Sequence, residues 1–142
     1  MNIRHDTFRL RKPMTSWIIL LFFCVVVSAC AFGSDSRGID LRADRVEIEK
    51  RILSDMPLGT DMETVRRYVD KMRFKVRWVS QTHGFYKQNL YEPARTVGEK
   101  AIEVVVGKYW TLFLSTEVYA DFGFDSAGQL IEVWVHKATD AP

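Results

Sequence analysis

The clearest alternation of apolar and polar residues lies in the last third of the chain. Apolar side chains occupy every second position before and after a short polar break: Val118, Ala120, Phe122 and Phe124, then Ile131, Val133 and Val135. The break, Asp125 to Gly128, has the composition of a turn, with a glycine where a positive φ is favoured. The pattern predicts a β-hairpin that buries one face and exposes the other.

Two helical patterns come earlier in the chain. Between Asp40 and Met56 the apolar positions have spacings of seven and four, which predicts an amphipathic helix: Leu41, Ile48, Ile52 and Met56. Pro57 and Gly59 then end that helix. A second helix is predicted to begin at a capping box formed by Thr60 and Glu63. Its apolar positions follow the i, i+3, i+4, i+7 rule: Val65, Tyr68, Val69 and Met72.

Shorter strand patterns lie between the second helix and the hairpin. Residues 74–78 alternate apolar and basic side chains, and residues 101–106 are rich in β-branched side chains, which predicts a strand in each segment. Residues 80–100 show no sustained period and are predicted to form a long loop that includes a short strand around 85–91. The resulting fold class is α+β, with two N-terminal helices packed on one face of a three- to four-stranded antiparallel sheet.

The first thirty residues predict export. Basic residues precede an apolar run from Trp17 to Ala29, which is about 20 Å long as a helix and too short to span a bilayer core of about 30 Å. This order is typical of a secretory signal peptide. The run ends in Val27-Ser28-Ala29-Cys30, which resembles the lipobox of bacterial lipoproteins. The alternative is an uncleaved membrane anchor, in which Cys30 has no special role.

The lipobox resemblance implies a division of the chain into four parts. These are a signal peptide over 1–29, a lipidated Cys30 with a flexible tether over 30–39, a single α+β domain over 40–138, and a tail over 139–142. In such lipoproteins an aspartate directly after the cysteine retains the protein in the inner membrane. Ala31 stands there in this chain. The resemblance therefore implies the periplasmic face of the outer membrane.

Removal of the leader changes the charge balance. The whole chain has a net charge of +2, but residues 1–29 contain four of its 20 basic and one of its 18 acidic residues. The remaining 16 basic and 17 acidic residues leave a net charge of −1, which argues against nucleic-acid binding. With Cys24 in the leader, Cys30 is the single cysteine left, and no disulfide framework is possible.

Two short motifs carry a resemblance to a known group of proteins. They are Leu58-Gly59-Thr60, followed by Val65, and Phe122-Gly123-Phe124-Asp125, followed by Gly128 and Leu130. Over residues 45–136 the chain resembles small bacterial envelope lipoproteins of the SmpA/OmlA type and the wider group with the β-lactamase-inhibitor-protein-like fold. It departs from the SmpA/OmlA pattern at residues 69–72, where that family has a Leu-Gly-x-Pro turn. The resemblance implies an α+β fold and a role in envelope assembly.

The polar side of the hairpin provides a candidate binding surface. If the apolar side faces the helices, the opposite face presents aromatic and charged residues: Tyr119, Asp121, Glu132, Trp134 and His136. Lys75 and Arg77 of the first strand, with Glu103 and Val105 of the second, are expected beside them. Aromatic residues ringed by charges are typical of protein-binding hot spots. The alternative is that Trp134 and Tyr119 merely cover the sheet beneath the long loop.

The sequence offers little evidence for catalysis. His83 and His136 have no metal-ligand spacing and are predicted to lie on the surface, and no cofactor motif or metal site is expected. A basic run over residues 66–77 is either a solvated surface or a contact for anionic lipid or an acidic protein. We expect a non-enzymatic lipoprotein that binds an envelope protein, as an assembly subunit or as an inhibitor or immunity protein. The alternative is a small hydrolase of cell-wall or lipid material.

Overall fold

The computed structural model describes residues 38–89 and 93–140, all within one compact unit, Gly33–Pro142. The predicted signal peptide, Cys30 and most of the predicted tether lie outside the described residues. The elements are α1 (Arg45–Asp55), α2 (Met62–Lys71), β1 (Lys75–Ser80), β2 (Phe85–Lys87), β3 (Arg95–Val97), β4 (Lys100–Thr111), β5 (Leu114–Phe124) and β6 (Leu130–Asp140).

The strands form two antiparallel sheets. Four of them pair in the order β1-β4-β5-β6, and β2 pairs with β3 in a separate two-stranded sheet. The prediction of an α+β fold with two helices and an antiparallel sheet is thus confirmed. In the segment 80–100, β2 lies within the short strand predicted around 85–91, whereas β3 falls in what was predicted to be loop. Strand β6 continues to Asp140, so its pairing with β5 includes residues 139 and 140, which we assigned to the tail.

Helix α1 is shorter than predicted. It begins after Asp44, whose side chain accepts a hydrogen bond from the Arg45 N–H, and Leu41 lies in the turn before it. Leu41 is nevertheless buried, and so is Ile39, although the predicted tether over 30–39 includes it. The folded domain therefore begins at or before Ile39, because that side chain belongs to the core.

The cap of α2 is Asp61, not Thr60. The Asp61 carboxylate accepts a hydrogen bond from the Thr64 N–H at 2.9 Å, as an N-cap residue does. The Thr60 hydroxyl instead donates to the carbonyl oxygen of Pro57 at 2.6 Å. A carboxylate one residue later in the chain therefore takes the place of the predicted capping box.

The main core contains side chains from both helices and from one face of the four-stranded sheet. Its buried members from the helices are Ile48, Ile52, Val65 and Val69, and those from the sheet include Ile102, Val104, Val118, Ala120, Phe122, Phe124, Val133 and Val135. All the hairpin residues that were predicted to be buried are in this core except Ile131. We call the opposite side of the four-stranded sheet the far face.

Two bulges correct the predicted strand faces. A register shift lies between Gly123 and Phe124, which pair with Glu132 and Leu130, so Ile131 is left out of the pairing. Leu130 takes the core position and Ile131 is 44% exposed. A second shift lies in β1 between Val76 and Trp78. Val76 pairs with the core residue Val104 as predicted, although it is 44% exposed at the sheet edge, whereas Trp78 pairs with Glu103 and so lies on the far face.

Candidate functional site

Strand register brings the predicted surface residues together on the far face. Directly paired residues project from the same side of a sheet. The pairs on the far face are Tyr119 with His136, Asp121 with Trp134, Glu103 with Asp121, Val105 with Tyr119, Lys75 with Val105, and Gly123 with Glu132. Arg77 also reaches this face, because its guanidinium lies 3.3 Å from the Glu103 carboxylate.

The β2–β3 hairpin covers one end of the far face. Phe85 and Val97 are buried in a second apolar cluster with Ala101, and Trp78 and Trp134 pack against it. The hairpin comes this close because residue 123 is glycine. A Cβ there would lie 2.9 Å from Val97 Cγ1 and 3.0 Å from Phe85 Cε1.

Glu132 links the hairpin to the sheet. Its two carboxylate oxygens accept hydrogen bonds from Lys87 Nζ at 2.7 Å and from Arg95 Nη2 at 2.6 Å. Burial by itself would raise the pKa of Glu132, but these two hydrogen bonds outweigh it and lower the pKa below its ordinary value. Two of the predicted binding residues, Glu132 and Trp134, therefore serve this internal contact.

Four aromatic rings form a row across the far face. Phe85 stacks on Trp134 with ring centroids 6.1 Å apart, Trp134 on His136 at 4.7 Å, and His136 on Tyr119 at 4.9 Å. The Arg77 guanidinium lies over the Tyr119 ring, 5.1 Å from its centroid. The row begins under the β2–β3 hairpin, where Trp134 packs as the alternative interpretation predicted, and ends beyond it at Tyr119, for which partner binding stays a prediction.

Two carboxylates lie side by side beneath this row. Glu103 pairs across the strands with Asp121, whose side chain is 5% exposed, and the Glu103 side chain is 12% exposed. Burial and the neighbouring Asp121 charge raise the pKa of Glu103, and the effect is moderated by Arg77 and His136.

His136 contacts this acidic pair. Its Nδ1 lies 3.2 Å from Asp121 Oδ2, which is ion-pair distance, although the angle is not that of a hydrogen bond. The sequence predicted both histidines on the surface. His83 is exposed and stacks on Trp78, whereas His136 is half-buried and has a carboxylate neighbour. The diagonal position of His136 relative to Asp121 follows from strand register, which no local spacing in the sequence reveals.

The rim of the open part is mainly cationic. Lys75 and Lys108 are exposed, and Arg77 has a half-exposed side chain. Lys108 lies 3.9 Å from Glu117, whose carboxylate accepts a hydrogen bond from the Tyr119 hydroxyl. That hydrogen bond, with burial, raises the pKa of Tyr119. We call Lys75, Arg77, Val105, Tyr119 and His136 the open patch.

The other residues of the basic run have separate positions. Arg67 and Lys71 are exposed on α2, and Arg67 donates to the Thr64 hydroxyl. Arg66 and Asp70 line a groove of about 240 Å³ between α2 and β1, with Val76 and Val79 on its other side. Of the predicted basic run, only Lys75 and Arg77 contribute to the open patch.

Comparison with known proteins yields no match to a family model, to a curated protein or to a solved structure. The resemblance to SmpA/OmlA lipoproteins therefore remains a prediction. In the residues that the structure describes, no helix has the length and apolar character to cross a membrane. Within the same residues, no three His, Cys, Asp or Glu side chains converge as metal ligands would.

Proposed function

We propose that this chain is a lipoprotein, tethered through Cys30 to the periplasmic face of the outer membrane, and that its domain binds another envelope protein through the open patch. The lipidation and location rest on the lipobox resemblance. The binding proposal rests on one observation, namely that the row of stacked rings extends past Trp134, where the β2–β3 hairpin packs, to His136 and Tyr119, which belong to neither apolar cluster.

The open patch favours a partner with acidic side chains. Tyr119 is 7% exposed because neighbouring side chains, including the Arg77 guanidinium, surround its ring. An approaching protein therefore meets the cations of Lys75 and Arg77 before it meets the rings. A partner complementary to these rings and cations would present an apolar surface surrounded by carboxylates. An arginine beside aromatic rings is also typical of interface hot spots.

Crosslinking in intact cells tests the proposal. The full chain with its native leader carries a photoreactive amino acid at position 75, in an Arg77→Ala background and in a matched Arg51→Ala background. The two arginines are alike, since Arg51 is 49% exposed and 3.2 Å from Asp55, whereas Arg77 is 50% exposed and 3.3 Å from Glu103. Loss of the crosslinked protein in Arg77→Ala but not in Arg51→Ala supports the open patch, and equal capture in both contradicts it.

The captured protein distinguishes the two subtypes of this function. A toxin or a hydrolase would identify the chain as an inhibitor or immunity protein. Components of outer-membrane protein assembly would identify it as an assembly subunit, as the SmpA/OmlA resemblance implies.

A second candidate function rests on the contact between His136 and Asp121. A histidine beside a carboxylate is the pair from which general-base catalysis is built, which is the chemistry of a small hydrolase. Here the two groups are at ion-pair distance, and a small rotation of the ring would be needed for the orienting hydrogen bond. Purified full-length chain is assayed for release of products from peptidoglycan and from phospholipid. Activity lost in His136→Gln and in Asp121→Asn, with His83→Gln unaffected, supports the hydrolase and contradicts the non-enzymatic proposal.

A further inference from the structure

The tip of the β4–β5 hairpin is apolar and exposed. Leu112 and Phe113 connect the two strands, and they are 92% and 80% exposed. Trp110 and Leu114 beside them are 58% and 43% exposed. We call these four residues the apolar tip. A contiguous group of large apolar side chains on the surface indicates an interaction site, whereas isolated ones do not.

The backbone at the tip is unsuited to the residue that occupies it. Leu112 has a φ of 53°, in the left-handed region where a Cβ is unfavourable. Two-residue hairpin turns therefore favour glycine, asparagine or aspartate at such a position, and these residues are also compatible with water. Leucine here costs the folded domain free energy through strain and exposes apolar surface. An apolar contact made by the tip would offset that cost.

The tip lies at the end of the domain where the described chain begins. Arg42 Nη2 donates a hydrogen bond to the carbonyl oxygen of Trp110 at 3.0 Å, and Lys137 Nζ donates to the carbonyl oxygens of Leu41 and Ala43. Residues 31–37 separate the described chain from Cys30. Eight residue steps reach at most about 27 Å. A membrane anchor at Cys30 would therefore hold this end of the domain near the bilayer.

Cations and aromatic rings surround the tip in the arrangement found at a bilayer interface. Lys108 Nζ lies 5.3 Å from the centroid of the Trp110 ring, and Arg42 and Lys137 both lie 5.5 Å from that of Tyr109. Tryptophan and tyrosine prefer the headgroup region, and lysine and arginine extend from it toward water and phosphate. Glu117 beside Lys108 and Asp140 opposite Ser115 balance part of this charge. Contact of this end with a bilayer would therefore depend mainly on the apolar side chains of the tip.

We propose that the apolar tip inserts into the headgroup region of the membrane that carries the anchor, so that the domain touches the bilayer at two points. The proposal goes beyond partner binding by the open patch. It requires only that the chain is held at a bilayer, either by a lipid on Cys30 or, in the alternative interpretation, by residues 17–29 as an uncleaved anchor.

Fluorescence quenching by brominated lipid tests the insertion. The full chain is reconstituted into vesicles of phosphatidylethanolamine and phosphatidylglycerol, with or without bromine on the acyl chains. The wild-type spectrum minus that of Trp110→Phe gives the emission of Trp110, at the tip. The wild-type spectrum minus that of Trp134→Phe gives the emission of Trp134, whose ring is stacked within the domain. We expect bromine to quench the Trp110 contribution and to leave the Trp134 contribution unchanged. An unquenched Trp110 contribution overturns the proposal.

Two charge substitutions provide the matched control. Leu112→Asp and Ile131→Asp each place a carboxylate at an exposed apolar position, but Ile131 lies at the start of β6, away from the tip. We expect the quenching of Trp110 to be lost in Leu112→Asp and kept in Ile131→Asp, and the reverse contradicts insertion. A photoreactive residue at position 113 in intact cells should form lipid adducts. Adducts with another protein or with a second copy of the chain would overturn the proposal and identify that occupant instead.

Discussion

At the scale of single residues, the missing side chain of Gly123 allows the β2–β3 hairpin to lie against the sheet. A Cβ would come within 3.3 Å of the Val97 backbone oxygen as well as close to two side chains. We predict that Gly123→Ala lowers the free energy of unfolding by about 1–3 kcal/mol through overpacking. Urea denaturation of the wild type and the variant measures this difference in the free energy of unfolding. In a Val97→Ala background the cost should shrink, because one of the clashing atoms is gone, and an equal cost in both backgrounds would refute the contact.

Replacement of Leu112 by glycine should stabilise the domain, whereas replacement of Gly123 by alanine should destabilise it. Glycine at this position removes the penalty of a Cβ at a φ of 53°. We predict that Leu112→Gly raises the free energy of unfolding by about 1 kcal/mol while it weakens the quenching of Trp110 by brominated lipid. Thermal or urea unfolding of the full chain tests the stability. Phe113→Gly is the comparison, since Phe113 does not have a positive φ, and an equal gain there would show that strain at Leu112 is not the cause.

At the scale of elements, the attachment of the β2–β3 hairpin depends on the charge of Glu132. Its pKa is lowered in the folded state, so the native protein binds fewer protons than the unfolded chain when the pH falls below about 4.5. The contribution of Glu132 to stability is therefore present above that pH and is lost as the pH falls through the folded-state pKa. We predict that the wild type is more stable than Glu132→Gln at pH 7, and that the difference disappears in acid. Unfolding free energies measured from pH 3 to 7 test this, and a constant difference would contradict it.

Glu103 lies on β4, the strand between β1 and β5, and its effect on stability should change with pH in the opposite direction. Its pKa is raised by burial and by Asp121, so the native protein binds more protons than the unfolded chain from about pH 4.5 up to the folded-state pKa. Stability attributable to Glu103 falls as the pH rises through that interval. We predict that Glu103→Gln unfolds at a higher urea concentration than the wild type at pH 7, and that the two proteins converge below about pH 4.5. Arg77 loses its partner in this variant, but its half-exposed side chain makes that loss small.

At the scale of the whole molecule, the two proposed contacts lie on different parts of the domain. The open patch is on the far face of the sheet, and the apolar tip is at the end of the β4–β5 hairpin. We predict that Leu112→Asp abolishes quenching by lipid without preventing crosslinking from position 75 to purified partner, and that Arg77→Ala has the reverse effects. Independent sites should give additive effects in the double variant. If one substitution abolished both contacts, a shared surface or a loss of folding would be indicated, and circular dichroism would separate these two outcomes.

The far face was predictable to a large extent because strand periodicity assigns each residue to one side or the other. Tyr119, Asp121 and His136 alternate with core residues, and their shared face follows from that alternation alone. The bulges were not predictable from the same pattern. An unpaired residue such as Ile131 reverses the alternation locally, and nothing in its own side chain signals this.

The tip of the β4–β5 hairpin could not be predicted from the sequence for a different reason. A hairpin is recognised by its turn residues, and Leu112 and Phe113 are not turn residues. Strand β2 lies within the short strand predicted around 85–91, but β3 and its pairing with β2 were not predicted, because three residues are too few to show a period.

The amino-acid sequence by itself determined the fold class, the core faces of the helices and of the strands outside the bulges, and the turn at Gly128, whose φ is 81°. These features depend on periodicity and on local backbone preferences, which act over a few neighbouring residues. Only the tertiary structure decided that β2–β3 covers Trp134, that His136 meets Asp121, and that the apolar tip lies beside Arg42. Each of those contacts joins residues that are distant along the chain or are brought together by strand register. Their proximity is a consequence of the whole fold, and no single segment contains the information for it.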